Sequence, residues 1–170
     1  FEMAIRHGDA GSVMHAYHEL DGEPFHESVF FLSTLLRDRW GFQGLVVADY
    51  EGISQLHLDH RTCTSPEDAA AKALIAGVDT DLPGDTSYGS ALKNALDRGL
   101  VDGPLVDRAV RRILVEKSRL GLFDQPYVQE STVVLGTDEH RSLNRDAAAR
   151  SMVLLKNNGI VIRIFSSNIN

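Results

Sequence analysis

Gly44-Leu45-Val46-Val47-Ala48-Asp49-Tyr50 decides how the rest of the chain is read. A continuous apolar run containing two β-branched residues is the pattern of a strand buried on both faces, and such strands belong to parallel α/β sheets. The run ends abruptly in an acid and an aromatic. The C-terminal end of a parallel strand is where α/β folds place their chemistry, so Asp49 is a candidate working carboxylate at a barrel mouth. Spacing alone leaves it open whether Asp49 is that or an ordinary acid in the loop after a strand. If it works, it can serve as nucleophile, base or metal ligand.

Working outward, Glu27–Arg39 reads as an amphipathic helix, with Val29, Leu32, Leu35, Leu36 and Trp40 at helical spacing and Gly41 as its stop. Before it, Ser12–Tyr17 reads as a short strand centred on Val13 and Met14 with a polar, aromatic exit, and Phe1–His7 as a helix. Met14 fits a core position, and Tyr17 fits either a rim aromatic or a hydroxyl aimed at a site. After Asp49, Glu51–Thr64 reads as a long polar connection carrying His57, Asp59 and His60, in which a metal-ligand pattern is only loosely present.

Ser65-Pro66-Glu67-Asp68 is a helix start with a capping serine, proline at the first position and acids in the first turn, and Gly77 ends that helix. Val78–Leu82 reads as a third strand, with Asp79 and Asp81 on one face of it. A polar barrel mouth and ordinary strand-end solvation both account for that pair. Further helices are expected over Tyr88–Arg98 and Pro104–Leu120. The second would bury Leu105, Val106, Ala109, Val110, Ile113, Leu114 and Leu120 and leave Arg108, Arg111, Arg112 and Glu116 in water. A last helix is expected from Asp138 to Lys156, followed by the apolar run Ile160–Phe165 and a polar end. Strand and helix alternate in the rhythm of βαβ units.

Composition narrows the partners. Seventeen basic against twenty-four acidic residues give a net charge of −7, with no basic stripe to track a phosphate backbone, so nucleic acid is not expected. No apolar run approaches the ~20 residues of a membrane span. Cys63 is the only cysteine, which excludes an internal disulfide and a cysteine-based metal site. The 170 residues are fewer than the ~200 or more that a closed (β/α)8 barrel needs.

Several motifs, in one order, carry a resemblance. They are Ser12-Val-Met-His-Ala-Tyr-His-Glu-Leu-Asp-Gly22, Leu35-Leu-Arg-Asp-Arg-Trp-Gly-Phe-Gln-Gly44, Val46-Val-Ala-Asp-Tyr50 and Ala76-Gly-Val-Asp-Thr-Asp-Leu-Pro83, then Val106-Asp-Arg-Ala-Val-Arg-Arg-Ile-Leu114, Lys117-Ser-Arg-Leu-Gly-Leu-Phe123 and Ala148-Ala-Arg-Ser-Met-Val-Leu-Leu-Lys-Asn157. Together they resemble the family 3 glycoside hydrolases over residues 1 to about 160.

The resemblance implies an α/β fold made of the last three strand–helix units of a (β/α)8 TIM-type barrel. Residues 1–126 would form that partial barrel domain, 127–159 a linker and helix toward a missing α/β sandwich domain, and 160–170 an atypical tail. It implies a retaining glycosidase acting on a small carbohydrate, a β-glucoside or β-xyloside, from the non-reducing end, with no cofactor and no metal. The Asp of the family's (S/A)-D-(W/Y) motif, its nucleophile, falls on Asp49. Tyr50 would border the sugar subsites, and Met14 and Tyr17 would line the subsite of the cleaved sugar. Upstream sugar-binding residues and the acid/base would lie outside these 170 residues, so the chain alone is expected to be inactive. The alternative expectation is a non-catalytic remnant with at most weak sugar binding.

Overall fold

The computed structural model describes residues 1–158 and divides at Pro126 into two units. In the first, α1 (Glu2–Arg6) leads into β1 (Ser12–Met14), and a small hairpin of β2 (Glu19–Leu20) and β3 (Glu23–Pro24) leads into a single tight turn, Phe25–Glu27. A helix of π-type turns, Phe30–Arg39, precedes β4 (Leu45–Val47). Then come α2 (Gly52–Leu58), α3 (Pro66–Ala76), a second π-type segment (Ser87–Ala91) running into α4 (Leu92–Asp97), and α5 (Gly103–Arg119).

The β1–β4 pair is parallel, as the helical crossover between the two strands allows. β1 pairs with β4 in the register Ser12↔Leu45, Val13↔Val46, Met14↔Val47. The expected third strand is present as a shorter ladder: Val47 bridges Thr80, the Asp79 N–H donates to the Val46 carbonyl at 2.8 Å, and the Ala48 N–H donates to the Thr80 carbonyl at 3.0 Å.

Burial along β4 alternates, which corrects the reading of a strand covered on both sides. Val46 and Ala48 are sealed, whereas Leu45, Val47 and Asp49 are only half-buried. The sealed face meets a core that includes Leu32, Leu36, Ile53, Leu56, Ala73 and Val78. The other face is uncovered by any described residue to that depth. Helices on one side alone give the period-two pattern of a one-sided sheet.

Four local expectations also change. The helix expected from Glu27 starts at Phe30, leaving Val29 46% exposed. The connection Glu51–Thr64 is largely the helix α2, whose Ile53 and Leu56 fill the core. The Ser12–Tyr17 strand ends at Met14.

The fourth change concerns α5, where Leu105, Val106, Ala109 and Ile113 face inward and Arg111 outward as expected, but Val110, Leu114 and Leu120 do not face inward. Arg108, Arg112 and Glu116 are half-buried, while Val110 and Leu114 are each 46% exposed. The reason is Asp79, whose side chain is fully buried and is bonded by Arg37 Nη2 at 2.7 Å, Arg112 Nη1 at 2.8 Å and the Val46 N–H at 2.9 Å. A carboxylate sealed from water needs cations, and arginine stems can pack apolar carbons while delivering the charge. Burial lowers the Arg37 guanidinium to about 10 against the pull of Asp79. Arg108 joins the same side, donating to the Leu74 carbonyl at 2.6 Å.

The second unit, from Tyr127 onward, holds α6 (Asp138–Ser151), shorter at its C-terminal end than the expected Asp138–Lys156 helix. The Thr137 hydroxyl caps it by accepting from the His140 N–H at 3.1 Å, and none of its residues is buried. The expected apolar run Ile160–Phe165 and the polar end after it lie outside the described residues.

Candidate active site

Strand parity sorts the acids. Register partners in a parallel pair share a face, so Met14, Val47 and Thr80 lie on the open face, and Asp49, two residues past Val47, lies there too. Asp79 falls on the opposite, helix-covered face. Asp81, on the same side by alternation, accepts from the Ser87 and Tyr88 N–H groups at 2.6 and 3.2 Å and from its neighbour Leu82 at 3.0 Å. The expectation that Asp79 and Asp81 share a face holds, but the face is not that of Asp49, and both acids have structural partners.

Asp49 stands on the turn that follows β4. The Gly52 N–H donates to the Asp49 carbonyl at 2.9 Å, closing the turn, and Glu51 inside it is left-handed at φ 58°. The Asp49 carboxylate accepts from the Tyr50 N–H at 2.6 Å. The turn is tied from two sides: the Tyr17 hydroxyl donates to the Tyr50 carbonyl at 2.7 Å, and the Glu51 N–H donates to the Leu82 carbonyl at 2.9 Å. Partial desolvation, with the Asp49 carboxylate nearby, raises the pKa of Tyr17, so its hydroxyl stays a donor at neutral pH.

Tyr17 is itself anchored. His60 meets its carbonyl at 2.9 Å through Nε2 and approaches Glu19 at 3.7 Å through Nδ1. A ring nitrogen facing a carbonyl must carry the proton, so His60 donates there. His57 instead turns to the Cys63 carbonyl at 3.1 Å, and no cluster of metal-ligating side chains is found among the described residues. Cys63 is buried and burial pushes its thiol up to about 11, which keeps it protonated and inert.

The structure thus brings Asp49, Tyr50 and Tyr17 together at the end of the sheet. Tyr50, 61% exposed, offers an open aromatic surface. Met14, 50% exposed, lies lower on the same face and borders an apolar groove of about 460 Å³ that also touches Val13, Phe25, Phe31 and Leu35.

Sequence reasoning passed over a histidine pair beneath the turn. His15 and His26 are 4% and 0% exposed, their ring centroids are 4.1 Å apart, and no ring nitrogen of either has a partner in hydrogen-bonding geometry among the described residues. Burial lowers His15 to about 4. His26 is lowered to about 3, mainly by burial and further by His15 and His60. The charge of Asp49 pulls both the other way. The signal was in the parity of β1, since His15 follows Val13 on the covered face.

Residues 1–115 match the family described as glycosyl hydrolase family 3 N terminal domain. The chain belongs to glycosyl hydrolase family 3. Among its relatives, the family 3 chain is 39% identical to a periplasmic β-glucosidase of Salmonella typhimurium over 87% of its own length and 20% of that protein. It is 33% identical to a β-xylosidase of Formosa agariphila over 99% of its length and 24% of that protein. Among solved structures, it matches a β-glucosidase from Erythrobacter marinus at TM-score 0.82 and 36% identity, covering 93% of this chain and 21% of that one. A Listeria innocua β-glucosidase in complex with glucose matches at TM-score 0.79 and 32% identity, covering 94% and 22%. The family 3 chain therefore spans about a fifth of the length of the relatives it matches, and its first unit is a partial α/β piece of their barrel fold.

Proposed function

We propose that this chain is the nucleophile-bearing part of a retaining β-glycosidase, acting on β-glucosides or β-xylosides from the non-reducing end. What supports the reading most is the chemistry around Asp49: a half-buried carboxylate on the open face of the sheet, bonded by the Tyr50 N–H at 2.6 Å and flanked by the Tyr17 hydroxyl. The relatives named above supply the substrate class.

In this mechanism an Asp49 oxygen attacks the anomeric carbon while the glycosidic C–O bond breaks, and a second carboxylic acid, ~5–5.5 Å from the first, gives its proton to the departing oxygen. The product is a glycosyl ester on Asp49. That second group, now a carboxylate, takes a proton from water as the water oxygen attacks the same carbon and releases Asp49, so configuration is retained. Glu51 and Asp81 are not assigned this role; the acid/base and the remaining sugar contacts belong to the rest of the barrel and the second domain. Tyr50 and Tyr17 border the sugar, and Met14 lines the subsite of the cleaved unit. No cofactor enters.

The test is mechanism-based trapping in the full-length protein carrying this sequence. A 2-deoxy-2-fluoro glycoside with a dinitrophenolate leaving group should add one fluorosugar to the peptide containing Asp49, read by mass spectrometry. A label on any other residue would overturn the assignment.

A further inference from the structure

The turn that presents Asp49 rests on the histidine pair through Gly52. A β-carbon at position 52 would lie 2.9 Å from His15 Cε1 and 3.1 Å from both Cδ2 and Nε2 of His26. The requirement is for space: two sealed rings occupy the volume that any larger residue would need. His26 has little room to retreat, because it is fully buried with His60 at 5.8 Å and Tyr17 at 6.2 Å between ring centroids. His15, by contrast, borders the apolar groove beside Met14 and is held from this side by His26. The same Gly52 closes the Asp49 turn through its N–H.

The pair is also costly. Each neutral imidazole brings one donor and one acceptor. Among the described residues the ring nitrogens of His26 find no hydrogen-bond partner, and His15 has only the poorly aligned backbone at Ala16 and its own residue. Apolar side chains could fill the space without stranded polar atoms, and local costs of that kind gather at functional sites.

We propose that Gly52, His15 and His26 are positioning residues, a close-packed floor that sets the depth and direction from which Asp49 meets the anomeric carbon. This rests on the reading of Asp49 as nucleophile. Small displacements of a reacting group are expensive in rate and cheap in binding, since binding draws on the whole site while attack needs one trajectory.

The experiment is the same fluorosugar labelling, with both the labelled residue and the labelling rate recorded for the full-length protein and for Gly52→Ala. The expected result is label on Asp49 in both proteins, a labelling rate lower by roughly tenfold to a hundredfold in Gly52→Ala, and a KM changed far less than kcat. Gly52→Ala combined with His15→Ala relieves the 2.9 Å contact but keeps His26 at 3.1 Å, so it should recover part of the rate lost in Gly52→Ala. Should Gly52→Ala fail to fold, His15→Ala alone carries the test, because it removes support beneath an unchanged glycine and should slow labelling likewise. Labelling of Asp49 at the parental rate in the folded variant would overturn the positioning role and leave the nucleophile standing. Label on another residue of the parent would overturn both.

Discussion

An imidazole sealed from water loses the hydration that favours its charged form, and for His15 and His26 burial outweighs what opposes it, the Ala16 backbone beside His15 and the charge of Asp49. In the unfolded chain each titrates near 6.5; folded, they are lowered to about 4 and about 3. Between those values the unfolded state holds more protons, so stability is full above pH 6.5 and falls as the solution is acidified toward pH 4. Well below pH 6.5 the slope approaches about 1.4 kcal/mol per pH unit for each histidine. Urea midpoints measured from pH 7 to 4.5 should therefore fall steadily, and His26→Leu should make the fall shallower by about half. An unchanged slope in that variant would show that His26 is not held neutral. Asp49 could be picked out of the sequence because an acid ending an apolar run is conspicuous. The histidines could not, since His15 reads as one more polar residue in a strand exit until the register of β1 fixes which way it points.

At the scale of the element, α5 shows why amphipathic patterns mislead when a strand carries a buried acid. Apolar periodicity put Val110 and Leu114 inward and the arginines outward. One carboxylate on the covered face of the third strand segment shifts this pattern without reversing it. Leu105, Val106, Ala109 and Ile113 stay inward, but Arg108 and Arg112 join them, because leaving Asp79 unpaired in the core costs more than exposing two aliphatic side chains. Arg37 and Arg112 reach it from the π-type helix and from α5, so a single carboxylate ties two helices to the sheet. Removing it by Asp79→Ala should destabilise the first unit by about 3–5 kcal/mol, the range for breaking a buried ion pair. Asp81→Ala, which strips a carboxylate from the start of the next segment, should cost about 1 kcal/mol. Chemical denaturation of both variants checks the ranking, and equal losses would mean that Asp79 is not the tie. By contrast α3 could be read from its sequence directly. Its Ser65 cap accepts from the Asp68 N–H at 3.2 Å, and Gly77 ends it in the left-handed conformation at φ 119°. Both signals act through adjacent backbone and need no tertiary partner.

Over the whole molecule, motif order made the family and the barrel character of the fold readable, while the extent of the sheet was not, since ladder length depends on neighbours. Among the described residues β1 pairs with β4 alone, so its outer edge presents unpaired backbone groups beside the apolar groove that Met14 borders. An unprotected parallel edge flanked by exposed apolar side chains is a template for another strand. Two consequences follow from the same geometry. The isolated 170-residue chain should turn over no aryl β-glucoside, because the acid/base and most sugar contacts are proposed to come from outside it. It should also self-associate, and the association should run through this edge. Met14→Lys places a charge on the open face at the edge strand without touching the sealed core around Val46, so it should shift the chain toward monomer at equal concentration by light scattering. Association unchanged by Met14→Lys would move the sticky surface elsewhere, to the exposed apolar side chains of α5 such as Val110 and Leu114. Normal turnover by the isolated chain would mean that Asp49 finds its acid/base partner within these 170 residues, and Glu51, two residues away on the same turn, would be the first carboxylate to replace.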